Sequence, residues 1–356
     1  MDALLGAFSK VMGYGSASAG AVVTESVQQG AMMTHAEVSE TIVRNIREIA
    51  RRNKEGLSAP TNEGLREGIY YGNEYCEALL TLSARGDPWA QEHFKTLYGQ
   101  GAFYHGALSS KYFMHVKEPM SPSGLAFNGY RIAREVREVS RALDEFSRGW
   151  TLLDCGGTCQ LAYLQAIRTA LGDRKFDVLL TGSGPTPLTI YGFDMTTDKV
   201  NILSRLLREE EIDSPRRLGQ IVVINNAESY SRKHAQGEAA RFISICTDAT
   251  KGQERYVALG FPSEGLTLEG VGMFLLEEYN KQPIPVSDIL PIDDALLPLS
   301  DEAKANKQLG KKAFIREGGG KVIAVWELDE GKFQEFQHSP HQREFIDSLS
   351  PLGISH

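Results

Sequence analysis

The stretch Asp154-Cys155-Gly156-Gly157-Thr158-Cys159-Gln160-Leu161-Ala162-Tyr163-Leu164-Gln165-Ala166-Ile167-Arg168-Thr169-Ala170-Leu171-Gly172 decides how this chain is read. Leu161, Leu164, Ile167 and Leu171 recur at helical spacing, so one apolar face should pack inward. Gly172 supplies a C-terminal stop. Thr158 is read as the N-cap, which puts Cys159 in the first turn. There the unpaired backbone N–H groups and the helix dipole stabilise a thiolate. Gly156 and Gly157 allow a tight turn and leave room for a substrate chain. Cys155 is the alternative nucleophile. Lying before the two glycines, it is read in the turn ahead of the helix, with less benefit from the dipole, or as a structural or redox partner of Cys159.

Around this helix the pattern changes from helical to mixed. Upstream, Val38, Ile42, Ile46 and Ile49 mark a helix over about Ala36–Arg52, and further helices are expected over about Glu63–Leu82, Pro88–Leu97 and Tyr130–Phe146. Downstream, strand-like runs occur at Phe176–Leu180, Gln220–Ile224, Ala239–Cys246 and Arg255–Leu259. A helix over about Leu266–Tyr279 precedes Pro283, Pro285 and Pro291, which read as a loop or linker. A helix at about 300–312 and a strand at Lys321–Leu328 are expected to end the ordered part. The fold class is therefore α+β. Its divisions are a leader at 1–33, a helical region at 34–149, a catalytic domain at 150–330 and a polar tail at 331–356.

His234 and Asp248 supply the remaining chemistry. His234 precedes the Ala239–Cys246 run and Asp248 follows it, 14 residues further on. Extended chain rises about 3.3 Å per residue, so the two can meet only if the chain folds back between Ala235 and Thr247. A turn at Gln236-Gly237-Glu238 could set two hairpin arms side by side, with the carboxylate orienting the imidazole toward the cysteine. Cys76 and Cys246 sit in apolar patterns and read as core.

Gly-Thr-Cys opening a Leu/Ala helix, then His-Ala, then a strand leading to Asp-Ala-Thr resembles the core of transglutaminase-like proteins, within the papain-like superfamily. The resemblance covers about residues 150–262. It implies a cysteine-bearing helix packed on an antiparallel sheet, with Cys159 as nucleophile, His234 as general base and Asp248 orienting it. The interval of 75 residues from Cys159 to His234 is longer than in compact members, and Gln236 replaces the aromatic often found after His-Ala. Bacterial effector deamidases and cysteine proteases of papain-like fold are similar in order and in carrying a long insertion. The implied reaction is acyl transfer on a protein amide, ending in proteolysis, glutamine deamidation or transamidation. The Cys159 backbone N–H and one side chain would hold the oxyanion. Gln160 is one candidate for that side chain, and Asn225, Asn226 and Gln220 are equally open.

Composition narrows the partners. The chain has 356 residues, 42% hydrophobic and 24% charged, with a formal net charge of -8. That balance speaks against nucleic acid, and no apolar run reaches the roughly 18 residues of a membrane span. Four cysteines are too few for a disulfide scaffold. No cofactor or metal is expected, since Cys155 and Cys159 lack a second Cys/His pair. A protein substrate is expected, with the 34–149 region binding the target. The expected setting is the cytoplasm. Residues 1–33, with Asp2 where a positive charge should be, are read either as an uncleaved leader for delivery into a host cell or as a mobile terminus. Two alternatives stand beside the enzyme: a transglutaminase-like binding module without turnover, and a nucleotide-binding protein using 181–187. Thr181-Gly182-Ser183-Gly184-Pro185 lacks the Gly-Lys-Ser/Thr ending of a phosphate loop, and is read as lining a substrate site.

Overall fold

The structure, a computed structural model, describes residues 32–100, 102–117, 128–184, 187–191, 202–225, 241–280 and 320–349. The leader up to residue 31, Asn226, His234, the proline-marked linker and the helix expected at 300–312 lie outside the described residues.

Thr34 opens the first helix with a reciprocal cap. Its side chain accepts from the Glu37 amide, and the Glu37 carboxylate accepts from the Thr34 amide, starting α1 (His35–Ser58). Val38, Ile42, Ile46 and Ile49 form its buried stripe. The helix expected over Glu63–Leu82 is broken into α2 (Asn62–Leu65), β1 (Gly68–Tyr70) and α3 (Gly72–Ala84). Gly68, at φ 136, turns the chain into the strand where no side chain would fit easily. Asp87 caps α4 (Pro88–Gly99), whose first residue is a proline that has no N–H to leave unpaired. Then come α5 (Ala102–His105), β2 (Ala107–Leu108), β3 (Phe113–Lys117) and β4 (Asn128–Ile132). The single helix expected over Tyr130–Phe146 is thus corrected. Tyr130 and Ile132 are buried at strand period, and only α6 (Val139–Arg148) is helical.

Beyond β5 (Trp150–Leu152) lie α7 (Cys155–Leu171) and α8 (Asp173–Leu180). The strand expected at Phe176–Leu180 is a helix. Its buried Phe176, Leu179 and Leu180 follow i, i+3, i+4, a pattern that a short apolar run conceals. The remaining elements are β6 (Thr189–Tyr191), α9 (Ile202–Leu206), β7 (Leu207–Glu210), β8 (Ile221–Asn225), β9 (Arg241–Asp248), β10 (Arg255–Val257), α10 (Leu268–Asn280), β11 (Lys321–Leu328), α11 (Glu330–His338) and α12 (Gln342–Ser348). The ordered part therefore does not end at Leu328. Phe333, Phe336 and Ile346 from the last two helices belong to the main core, so 331–349 is not a polar tail.

The chain is α+β. A five-stranded antiparallel sheet runs in the order β10-β9-β8-β11-β7. Strand alternation splits its side chains between two layers. Ile221, Val223, Ile243 and Ile245 pack in the core that contains α7, while Val222, Ile224 and Cys246 pack with Val271 and Leu275 of α10. Two further three-stranded sheets run in the orders β1-β5-β2 and β3-β4-β6. The expected boundary at 149/150 is absent. Residues 32–356 form one unit, and α1 packs in the same core as α7, where the Asn45 amide donates to the Ala162 carbonyl at 3.0 Å. No helix among the described residues is long and apolar enough to cross a membrane.

Gly72, at the start of α3, shows how tightly these elements meet. A Cβ there would lie 1.9 Å from the Phe103 carbonyl oxygen. Backbone cannot yield as a side chain can, so Gly72→Ala is expected to cost about 3 kcal/mol in urea unfolding.

Candidate active site

The site is built at the start of α7. Asp154, in extended backbone, is the N-cap, and its Oδ1 accepts from the Gly157 amide at 2.7 Å. Thr158, expected to cap the helix, lies inside it and returns its hydroxyl to the Asp154 carbonyl at 2.6 Å. Both residue types cap well, and the earlier one prevails where Gly157, lacking a Cβ, leaves room for the Leu153 side chain. At Gly157 a Cβ would meet the Leu153 side chain at 2.7 Å. The correction moves both cysteines one turn along. Cys155 is now in the first turn and Cys159 in the second.

Both thiols meet one residue of β9. The Ile243 N–H donates to Cys155 Sγ at 3.4 Å, and Cys159 Sγ–H donates to the Ile243 carbonyl at 3.7 Å. Cys159 is fully buried, and burial, with Cys155 and Asp154 nearby, pushes its thiol well above the ordinary range. Cys155 is 4% exposed. Burial first, then the Asp154 charge, push it up to about 12, against the Ile243 amide, the Tyr71 hydroxyl and the Gly156 amide, which favour the thiolate.

Tyr71 carries the signal that local sequence patterns miss. Strands β1 and β5 pair in parallel, Tyr70 opposite Leu152, so both chains leave the sheet at the same end. Tyr71 thereby comes abreast of Asp154 and Cys155, its hydroxyl near enough to the Cys155 thiol to influence its ionisation. Burial, then Cys155, Asp154 and Glu74, hold the phenol well above its usual range. Gly260, at φ 86, closes the other side. A Cβ there would lie 3.3 Å from the Tyr71 ring and 3.7 Å from Glu74 Oε1.

The other expected residues are placed as follows. Asp248 ends β9, five residues beyond Ile243, which is about 16 Å along extended chain. Its carboxylate accepts from the Thr250 amide at 2.9 Å, and the Thr250 hydroxyl and amide hold it below the usual carboxylate range. Both edges of β9 are taken, by β8 and β10, and the Asp248 rung is paired with Arg255. The side-by-side hairpin that would set His234 against Asp248 therefore has no free edge, and Asp248 is not brought to either thiol. The connection that includes His234 instead joins Asn225 to Arg241, which are partners at the end of the sheet two rungs from Ile243.

Gln160 is fully buried within α7. Gln220 is committed elsewhere. Its Oε1 accepts from the Arg217 amide at 2.9 Å and its Nε2 donates to Glu327 at 3.0 Å. Asn225 is exposed at the end of β8, in the strand phase of Ile221 and Val223, which face α7. Cys76 and Cys246 are buried in the cores.

Glu327 is itself buried, among Arg208, Arg217 and Gln220. Burial pushes its carboxyl up, but the Gln220 and Arg208 hydrogen bonds and the Arg217 and Arg208 charges hold it below its ordinary 4.5. A depressed folded value means stability that is present above about 4.5 and lost as pH falls below it. Urea unfolding of wild type should weaken over that acid window, and Glu327→Gln should weaken less.

Comparison with protein-family models and with curated protein sequences gives no match.

Proposed function

We propose that the chain is a cysteine-dependent acyl-transfer enzyme acting on protein amide bonds, of papain-like or transglutaminase-like construction, with Cys155 as its nucleophile. The observation that carries this reading is Cys155 in the first turn of α7, with the Tyr71 hydroxyl nearby. A helix start and a hydroxyl donor both favour a thiolate. Cys159, a turn deeper and fully buried, has neither advantage.

In this proposal His234, on the connection that leads into β9, takes the Cys155 proton. The thiolate attacks the carboxamide carbon and forms a C–S bond. The oxyanion lies at the Cys155 N–H, the first-turn amide of α7 that neither Asp154 nor the sulfur engages, with the Asn225 amide as the side-chain donor. The C–N bond breaks, and the imidazolium gives its proton to the departing ammonia or amine. Water then cleaves the thioester to acid and thiol, or an amine completes transamidation. Asp248 takes no part. The four cysteines are free thiols, which suits a reducing compartment, and delivery into a host cell belongs to this same proposal.

One observation favours a second reading, a binding module without turnover: the burial that pushes Cys155 up to about 12. Labelling with limiting iodoacetamide at pH 7.5, followed by peptide mass mapping, separates the two. The enzyme reading expects Cys155 to be alkylated first. Equal labelling of all four cysteines, or none before unfolding, favours the module.

A further inference from the structure

The loop Thr181-Gly182-Ser183-Gly184, after α8, takes no part in the thiol site. Its two glycines are set by close approach. At Gly182 a Cβ would lie 1.9 Å from the Ala133 carbonyl oxygen, and at Gly184 it would lie 2.5 Å from an Arg343 guanidinium nitrogen. The Gly182 N–H and the Thr181 hydroxyl both donate to the Val136 carbonyl at 3.1 Å, and the Gly184 N–H donates to the Thr181 carbonyl at 2.9 Å. The loop is thus pinned to the 133–137 segment, with Ser183 exposed at its tip.

Two arginines reach this tip from separate elements. Arg137 donates to the Ser183 hydroxyl, to the Thr181 hydroxyl at 3.2 Å and to the Arg134 carbonyl at 3.3 Å. Arg343, from α12, lies against Gly184 and donates to the Leu179 carbonyl at 2.7 Å. Arg51, Arg141, Arg168, Arg205, Arg208 and Arg217 each have a carboxylate partner. Arg137 and Arg343 have no carboxylate partner among the described residues, as is also true of Arg85 and Arg174, but these two converge on one loop; Glu138, beside Arg137, is paired with Arg141. Two guanidiniums set on consecutive loop residues repel each other unless an anion lies between them.

We infer that this loop binds a phosphate group, as carried by a phosphate monoester. Arg137 and Arg343 would each offer N–H donors, from the segment before α6 and from α12. The Ser183 oxygen accepts from Arg137, so its own proton is free to donate. Two guanidiniums and a hydroxyl together suit a phosphate, with its several oxygens and higher charge, better than a carboxylate, which a single guanidinium fork already matches.

Calorimetric titration with inorganic phosphate at constant ionic strength tests this, with acetate as the planar control. The expected result is saturable phosphate binding, weakened at least tenfold by Arg137→Gln and unchanged by Arg141→Gln. Arg137 is exposed, so its loss does not threaten the fold. Arg343→Lys, which keeps the charge but loses the fork, should weaken binding as well. No saturable heat, acetate binding as tightly as phosphate, or Arg137→Gln binding like wild type would each overturn the inference.

Discussion

Deleting residues 32–58 is expected to abolish cooperative folding, where a separable recognition region would leave the α7 site intact. Helix α1 supplies Val38, Ile42, Ile46, Ile49 and Ala50 to the core that also holds Cys155, Cys159 and Leu164. Fully burying one such aliphatic side chain contributes roughly 1.5–3 kcal/mol. Their sum is comparable with the roughly 5–15 kcal/mol that hold a whole domain together. The truncation also strips the Asn45 bond from Ala162 and the Arg47 bond to the Thr247 carbonyl. Urea titration followed by circular dichroism should show no cooperative transition in the truncated chain. A sharp transition would show that α1 is dispensable. The milder Ile46→Ala keeps the helix and should cost about 3 kcal/mol, through lost burial and the cavity left behind.

The same packing explains what could be read in advance. Helix α1, strand β11 and the body of α7 were legible because each has a long, regular apolar period with clear ends. The start of α7 was not, because Asp154 and Thr158 stand one turn apart and either can cap. The choice between them rests on Gly157 yielding space to Leu153, which no local pattern reports. Phe176–Leu180 was misread because five residues cannot distinguish a buried strand from one turn and a half of helix. Tyr71 was invisible for a different reason. Its place beside Cys155 is made by the parallel pairing of β1 with β5, two strands far apart in the chain. Asp248 was attractive by its order after His234, but order along a strand is distance. Five residues of β9 separate it from the rung that both thiols touch.

Alkylation of Cys155 at pH 7.5 should then fall by about two orders of magnitude or more in His234→Ala. The groups placed around this sulfur hold it at about 12, three units above the ordinary 9.0. Each unit is about a tenfold loss of thiolate, so without further help Cys155 would react more slowly than a free thiol at this pH, the higher nucleophilicity of its thiolate offsetting only part of the loss. Tyr71, the Ile243 amide and the Gly156 amide already act in its favour and do not offset burial and Asp154. A working nucleophile needs a cation beside the sulfur, and an imidazolium from the β8–β9 connection would supply it, as in other cysteine–histidine pairs. The sign of the pH dependence distinguishes the cases. With His234 in place, the rate should rise and level off near neutrality. In His234→Ala it should keep climbing about tenfold per unit toward pH 12. Tyr71→Phe, which removes a donor to the thiolate, should slow wild-type alkylation and move its pH profile upward without changing the slope. Should wild type and His234→Ala instead share the slow, climbing profile, the thiol has no base. The α7 start would then be a structural joint, and the chain a binding module built on it.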